Sequence, residues 1–377
     1  MRFQPFRLER FFAKYEFKIE YLLSSSDCDG LYLEELLSLS SPATKVLWDG
    51  LKLNYTESAG HPKLRQSIAA MIDNISEENI IIAAPEELIF IAMNTLVKSG
   101  DHIIVLSPTY QSLYSIAADL GCELSTWELE IKNQDWYLDI DRLEELVRTN
   151  TKMLVVNFPN NPTGFLPSLA DFEKIISIAQ KFGLILFSDE MYRLLEYNPA
   201  NRLPSAAQVY SRAVALSGLS KSFALPGLRI GWLVTQNQKW VDSFIQFKDF
   251  TTICNSAPSE ILAIIALENK EVIVQRNLAI VEGNLFSARD FFQKYNRWFG
   301  WLEPKAGSIC FPRWLGKQPI EEFCDELVNK HGIMIVPGNM FDTRGPHFRI
   351  GLGRKNFTQG LDLFGTVMDL YSEQLPG

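Results

Sequence analysis

Between about residue 80 and residue 235 the chain alternates short, continuous apolar runs with stretches long enough for a helix, and this alternation constrains the fold more than any other feature. The runs are IIVLSP (103–108), MLVVNF (153–158), LILFSD (184–189), AVALSG (213–218) and IGWLV (230–234). They are rich in Val, Ile and Leu and bounded by turn signals, as expected of strands covered on both faces. Between them lie segments with helical spacing, such as LEELVRTN (143–150) and LADFEKIISIAQKFG (169–183). In the second, Ser168 and Asp171 have capping-box spacing, and Gly183 stands where a left-handed C-terminal glycine belongs. Strands joined by helix-length crossovers predict a mostly parallel sheet between helices, an α/β fold. A long helical stretch from about Ser259 to Tyr295 leaves this region, and the remainder, with GSICFPRW (307–314) and GIMIVPG (332–338), reads as a smaller α+β unit.

Charge and composition narrow the partners. With 36 Lys and Arg against 45 Asp and Glu, the net charge is −9, and no basic cluster compensates for it. Such a chain lacks the field that holds a nucleic-acid backbone, so DNA and RNA are not expected partners. The N-terminal MRFQPFRLERFFAKYEF scatters charges among its apolar residues, and nowhere do about 18 apolar residues run uninterrupted. Neither a membrane span nor an export signal is expected, and the expected location is the cytoplasm. Five cysteines, at 28, 122, 254, 310 and 324, are too few and too scattered for a disulfide scaffold or a CxxC metal site. No metal is expected.

In doubly wound sheets ligands sit beyond the carboxyl ends of the strands. The residues there are Ser107 to Tyr110, Asn157 to Gly164, Asp189 to Tyr192 and Ser217 to Lys221. These loops contain no histidine, no GxSxG elbow, no Walker A loop and no GxGxxG, which removes support for triad hydrolysis, P-loop phosphoryl transfer and nicotinamide binding. They do contain a lysine. Among small and hydroxyl residues at a strand end, partial burial lowers a lysine's pKa and suits it to Schiff-base chemistry. An aspartate such as Asp189 suits a pyridinium nitrogen, keeping it protonated so that the ring withdraws electrons.

Five blocks, NNPTG (160–164), SDEMY (188–192), SGLSK (217–221), LPGLRIGW (225–232) and FRIGLG (348–353), together resemble the class I/II aminotransferases, fold-type I enzymes that use pyridoxal 5′-phosphate. The match runs in order from about Tyr55 to Arg349. The resemblance implies a large domain (50–280) with a mostly parallel seven-stranded sheet, and a smaller α+β domain formed by both chain ends, with an N-terminal arm (1–49) and a C-terminal part (281–377). It implies that Lys221 forms the Schiff base and moves the proton at the substrate Cα. Asp189 is then the partner of the pyridine nitrogen, and Tyr192 and Asn161 bond the cofactor's phenolic oxygen. Tyr110 stacks on the ring, Arg229 pairs with the phosphate, and Arg349, beside Asn161, binds the substrate carboxylate. Tyr55 resembles a tyrosine that reaches the phosphate of a neighbouring subunit, which implies a homodimer with shared active sites.

Two departures from the family pattern stand out. At the start of the phosphate-binding helix this chain reads Ala83-Ala84-Pro85, so one N–H is lost at Pro85 while Ala84 keeps its own. Three residues before the lysine, where the family often has a hydroxyl, stands Gly218. Ser220, Ser217 and Arg229 are therefore expected to carry more of the phosphate than is usual.

The resemblance implies transfer of an amino group from an L-amino acid to a 2-oxo acid. The alternative is a lyase, β-replacement or cyclising enzyme of the same fold. The segments FAKYEFKIEYLLSSSDCDGLYLEELL and AAPEELIF are similar to those of capreomycidine synthase-like members, which cyclise a hydroxyarginine derivative. A more remote alternative is a transcription regulator that carries this fold behind a basic DNA-binding domain; here the family pattern already includes Tyr55. The first 30 residues and the segment from Lys305 to Trp314 are expected to shape the substrate pocket; their aromatics Phe11, Phe12, Tyr15, Tyr21, Phe311 and Trp314 suggest an apolar wall, and core packing would explain them equally well.

Overall fold

The computed structural model describes residues 4–343 and 345–373. Eight strands form one sheet: β1 (Ile80–Ala83), β2 (His102–Ser107), β3 (Glu123–Lys132), β4 (Asp135–Leu138), β5 (Thr151–Asn157), β6 (Ile185–Asp189), β7 (Ala213–Gly218) and β8 (Gly231–Val234). Their spatial order is β1-β8-β7-β6-β5-β2-β3-β4. The stretch β3-β2-β5-β6-β7 is parallel throughout, whereas β8 runs antiparallel to both β7 and β1.

The sheet has one strand more than the seven expected. Asn133 and Gln134, at φ 53° and 61°, form a two-residue turn that folds β4 back antiparallel on β3. Both turn residues are left-handed, the geometry that matches strand twist, but neither is the glycine that would have signalled it.

The apolar runs are covered on both faces. Ile103, Val105, Met153 and Val155 enter one core, while their neighbours Ile104, Leu106, Leu154 and Val156 enter another on the opposite side of the sheet. The helix Leu169–Phe182 begins and ends as its sequence predicts. Ser168 Oγ accepts the Asp171 N–H at 3.1 Å, and Gly183 caps the other end at φ 64°. The helix foreseen over 143–150 instead covers Ile140–Leu146, started by the Asp139 carboxylate.

The long helical stretch is two helices, Ala257–Glu268 and Lys270–Lys294. Asn269 separates them, its amide donating to the Ile265 carbonyl at 2.8 Å and to Leu39 O at 3.0 Å, a side-chain bond that competes with helix continuation.

Beyond these helices, β10 (Ile309–Cys310), β12 (Val336–Pro337) and β13 (Phe348–Gly351) form a three-stranded antiparallel sheet with β13 in the middle. A short pair, β9 (Phe299–Gly300) with β11 (Arg313–Trp314), lies alongside in chain order. The segment Leu23–Cys28 is laid against the end of β13. Gly351 N donates to Leu23 O at 2.7 Å, and a Cβ on Gly351 or Gly353 would overlap the backbone of Ser25 or of Asp27 and Cys28. The helix Arg7–Tyr15 is tied down separately, through Arg7 N to Gln111 Oε1 (3.0 Å) and through the Arg7 and Tyr114 side chains to Asp342.

Candidate active site

A cavity of about 530 Å³ opens where β5, β6 and β7 end, roofed by the N-terminal segment and β13. Eight of the sequence-derived residues line it: Tyr110, Asn161, Asp189, Tyr192, Ser220, Lys221, Arg229 and Arg349. Register explains much of this convergence. Asn157 pairs with Asp189 across β5 and β6, and Asp189 with Leu216 across β6 and β7, so the three loops that follow leave the sheet side by side.

Asp189, the last residue of β6, is 6% exposed and accepts one hydrogen bond, from Met191 N at 3.0 Å. Burial pushes its carboxyl up to about 7, with neighbouring Glu190 adding to the shift. Nearby Tyr192 is buried, its hydroxyl donating to Ser26 O at 3.3 Å, and burial raises its pKa. The Asn161 backbone N–H donates to Asn157 Oδ1 at 2.6 Å, which sets the turn, and its side-chain oxygen accepts from Arg349 Nη1 at 3.1 Å.

Lys221, three residues beyond β7, donates from Nζ to Ser26 Oγ at 2.8 Å. Burial draws its amine below the ordinary lysine value, partly opposed by Asp27. Arg229 closes a short turn after Pro226–Leu228 with φ 54° and bonds Pro226 O at 3.0 Å. Arg349 comes from the middle strand of the small sheet. It is 1% exposed, its Nη2 donates to Ser24 O at 3.0 Å, and its guanidinium lies 5.8 Å from the Phe12 ring and 5.1 Å from Phe341. Tyr110 donates from its hydroxyl to Glu9 Oε1 at 2.8 Å.

Three sequence-derived residues do not line the cavity. Ser217 directs its hydroxyl to Glu190 O at 3.4 Å. Ala84 is the N-cap of the helix Pro85–Leu96, whose next two residues, Pro85 and Glu86, do line it. Tyr55 is 89% exposed.

The two departures from the family pattern prove to be packed together. Gly231 pairs with Ala83 on one side and Gly218 on the other. A Cβ on Gly231 would lie 2.9 Å from Pro85 Cγ, and one on Gly218 would lie 3.0 Å from Gly231 Cα. Pro85 therefore occupies space that Gly231 leaves open, and Gly218 is held small by the same close approach.

The first 30 residues do reach the cavity as expected, but of their side chains there sequence reasoning named only Phe12. Phe6, Leu8, Glu9, Phe12 and Glu16 line the cavity from the first helix and its flanks, with Ser26 and Asp27 from the strap that follows. The i, i+4 pair Leu8 and Phe12 was the available signal. Of the aromatics expected to form an apolar wall, only Phe12 does so. Tyr15, Phe311 and Trp314 are buried in cores, and neither Phe11, Tyr21 nor any residue of 305–314 lines the cavity.

The donor set can be tested against a phosphorylated pyridine. Ser220 Oγ is buried without a partner, as is Arg349 Nε, and Asp189 is a buried carboxylate facing a single N–H. Buried polar groups left in this state call for a ligand that completes them. A phosphate near Ser220 and Arg229, a protonated ring nitrogen at Asp189 and a carboxylate at Arg349 would do so, and the set fits pyridoxal phosphate with an amino acid.

Comparison with known proteins agrees. Residues 22–358 match the family model described as aminotransferase class I and II. The chain is 27% identical over 362 residues to capreomycidine synthase of Streptomyces vinaceus, covering 94% of this chain and 91% of that one. It is 24% identical over 350 residues to a probable aspartate aminotransferase of Methanocaldococcus jannaschii, covering 86% and 88%. Among solved structures, a pyridoxal-phosphate-dependent aminotransferase from Streptococcus suis superposes with a TM-score of 0.91 at 30% identity, covering 98% of this chain and 99% of that one.

Proposed function

The chain belongs to the aminotransferase class I and II family, and on that premise we propose that it moves an amino group from an L-amino acid to a 2-oxo acid, using pyridoxal 5′-phosphate held by the strand-end residues. The observation that carries this reading is the meeting of Lys221, Asp189 and Arg349 in one cavity.

When bound, the cofactor supplies an electron-poor ring that stabilises negative charge developing at the substrate Cα. The buried Asp189 carboxylate holds the proton on the ring nitrogen. Asn161 would donate from its side-chain amide to the phenolic oxygen, Tyr192 would join it by turning its one O–H from Ser26 O, and Tyr110 would stack on the ring. Arg229 and Ser220 would hold the phosphate from the cavity wall, while Ser217 supports the Glu190 turn behind them. Lys221, whose burial favours the neutral amine, would take the proton from the substrate Cα and deliver it to the cofactor carbon on the other side of the shared nitrogen, two bonds away. Arg349 binds the substrate carboxylate, and its two hydrogen bonds to Asn161 and Ser24 fix the guanidinium plane before substrate arrives.

The same reading assigns residues 50–280 to a large cofactor domain, with 1–49 and 281–377 forming the arm and the small domain. It places the protein in the cytoplasm as a homodimer, in which the exposed Tyr55 reaches the partner subunit's phosphate.

The deciding experiment mixes the cofactor-loaded enzyme with single amino acids and no acceptor. One equivalent of the matching 2-oxo acid per site, with turnover restored by adding a 2-oxo acid, is the expected result. Continuous release of ammonia, or a cyclised product, without an acceptor contradicts transamination.

A further inference from the structure

Of the three consecutive serines in the strap Leu23–Cys28, one stands apart. Ser24 and Ser25 are 0% and 1% exposed with unpartnered hydroxyls, whereas Ser26 lines the cavity and its hydroxyl accepts the Lys221 amine at 2.8 Å. The same residue's carbonyl accepts from Tyr192 OH at 3.3 Å and from Ser308 Oγ at 2.8 Å. Two residues earlier, the Ser24 carbonyl accepts from Arg349. One short strap therefore touches the lysine, the tyrosine and the arginine on which the proposed reaction depends. The strap lies within the segment similar to capreomycidine synthase-like members, but nothing in that likeness assigns Ser26 a role.

We propose that Ser26 is a positioning residue for Lys221, holding the amine in a fixed rotation whenever it is free, while its carbonyl keeps Tyr192 in register with it. The proposal rests on the reading of Lys221 as the proton-carrying amine.

The physical basis is the freedom of a lysine terminus. A neutral amine on a four-carbon stem has one lone pair and two N–H bonds, and rotation about the last C–C and C–N bonds moves the lone pair away from any target. Committing one N–H to an acceptor stops that rotation and directs the lone pair along a set line. Ser26 can serve as such an acceptor only if its own backbone is fixed. The Ser308 bond to its carbonyl and the close packing of the strap against Gly351 and Gly353 fix it. The arrangement is economical, since Ser26 contributes through both its side chain and its main chain.

The test uses the cofactor-loaded enzyme and three variants. Ser26→Ala is expected to lower kcat about fivefold to tenfold, the weight of one ordinary hydrogen bond, with KM for the donor within about twofold. Ser26→Thr, which keeps the hydroxyl, restores kcat, and Ser25→Ala, which removes an unpartnered hydroxyl, leaves both constants unchanged. A second readout needs no catalysis. In cofactor-free protein, acylation of Lys221 by an amine reagent, quantified by peptide mass spectrometry, is expected to be faster in Ser26→Ala than in wild type, because the amine is no longer held. Unchanged kcat and unchanged acylation in Ser26→Ala overturn the proposal while leaving the proposed function intact. Full activity in Lys221→Ala overturns both.

Discussion

The cavity has two walls made in different ways. One is the row of strand ends, where Asn157, Asp189 and Gly218 close β5, β6 and β7, and where each functional residue lies within a few positions of a strand that fixes it. The other is the N-terminal segment, whose residues reach the site across great distances in sequence: Glu9 meets Tyr110, Ser24 meets Arg349 and Ser26 meets Lys221. The first wall carries the chemistry and the second holds it in place. Substitutions in the first should therefore abolish a step, and substitutions in the second should blunt it.

The largest effect is expected at Lys221. Lys221→Ala should lower turnover by about 10⁴-fold, near the upper range for loss of a positioned acid–base group, with the folded state retained by circular dichroism. A loss no greater than that of Ser26→Ala would erase the distinction between the walls. Next is Arg349. Replacing it with Gln removes a charged, preoriented donor, and kcat/KM for amino-acid donors should fall about 10- to 100-fold, read in initial-rate kinetics. An unchanged kcat/KM would remove the residue from the substrate's carboxylate.

Gly351→Ala attacks the second wall from behind. The added Cβ meets the Ser25 carbonyl, and either β13 or the strap must shift, for about 1–3 kcal/mol of lost stability in denaturant unfolding. The shift should also carry Ser26 off Lys221, so activity falls as in Ser26→Ala. A variant as stable and active as wild type would show that the strap is not pressed on the strand.

The smallest effect concerns Asp189 in the cofactor-free protein. Unfolded, an aspartate has a pKa of about 3.9; folded, this one is raised to about 7. Between those values the folded state holds more proton than the unfolded, so the Asp189 contribution to stability is full below about pH 4 and is lost by about pH 7. Asp189→Asn should flatten that part of the pH dependence of Tm, and bound cofactor should flatten it too, by giving the carboxylate a cationic partner. A slope identical in wild type and Asp189→Asn would contradict the assignment.

The contrast between the walls also explains what could be read from the sequence. As residues of the cavity, Asp189 and Lys221 were legible because each stands at the end of an apolar run, and Tyr192 and Arg229 because the blocks that hold them resemble the family's. The helix Leu169–Phe182 was legible for the same reason, both its caps being encoded within four residues of its ends. Glu9, Ser26 and Asp27 were not, because nothing local to them singles out these side chains; Ser26 and Asp27 are placed by how the strap lies on β13, and Glu9 by the docking of the first helix through Arg7. Trp314 and Phe311 stayed undecided between pocket wall and core for the converse reason. Aromatic residues near a functional segment look alike in sequence whether they face a cavity or a core, and here both are buried in cores. The pairing of Gly218 with Gly231 beneath Pro85 lay between these extremes: each departure was visible, but not that one packing arrangement accounts for both.

The most direct test of the central claim is to load the purified protein with pyridoxal phosphate, reduce it with borohydride and map the label by peptide mass spectrometry. The account predicts a pyridoxyl group on the peptide containing Lys221 and on no other lysine. A label elsewhere, or none in protein that has been given the cofactor, would contradict it.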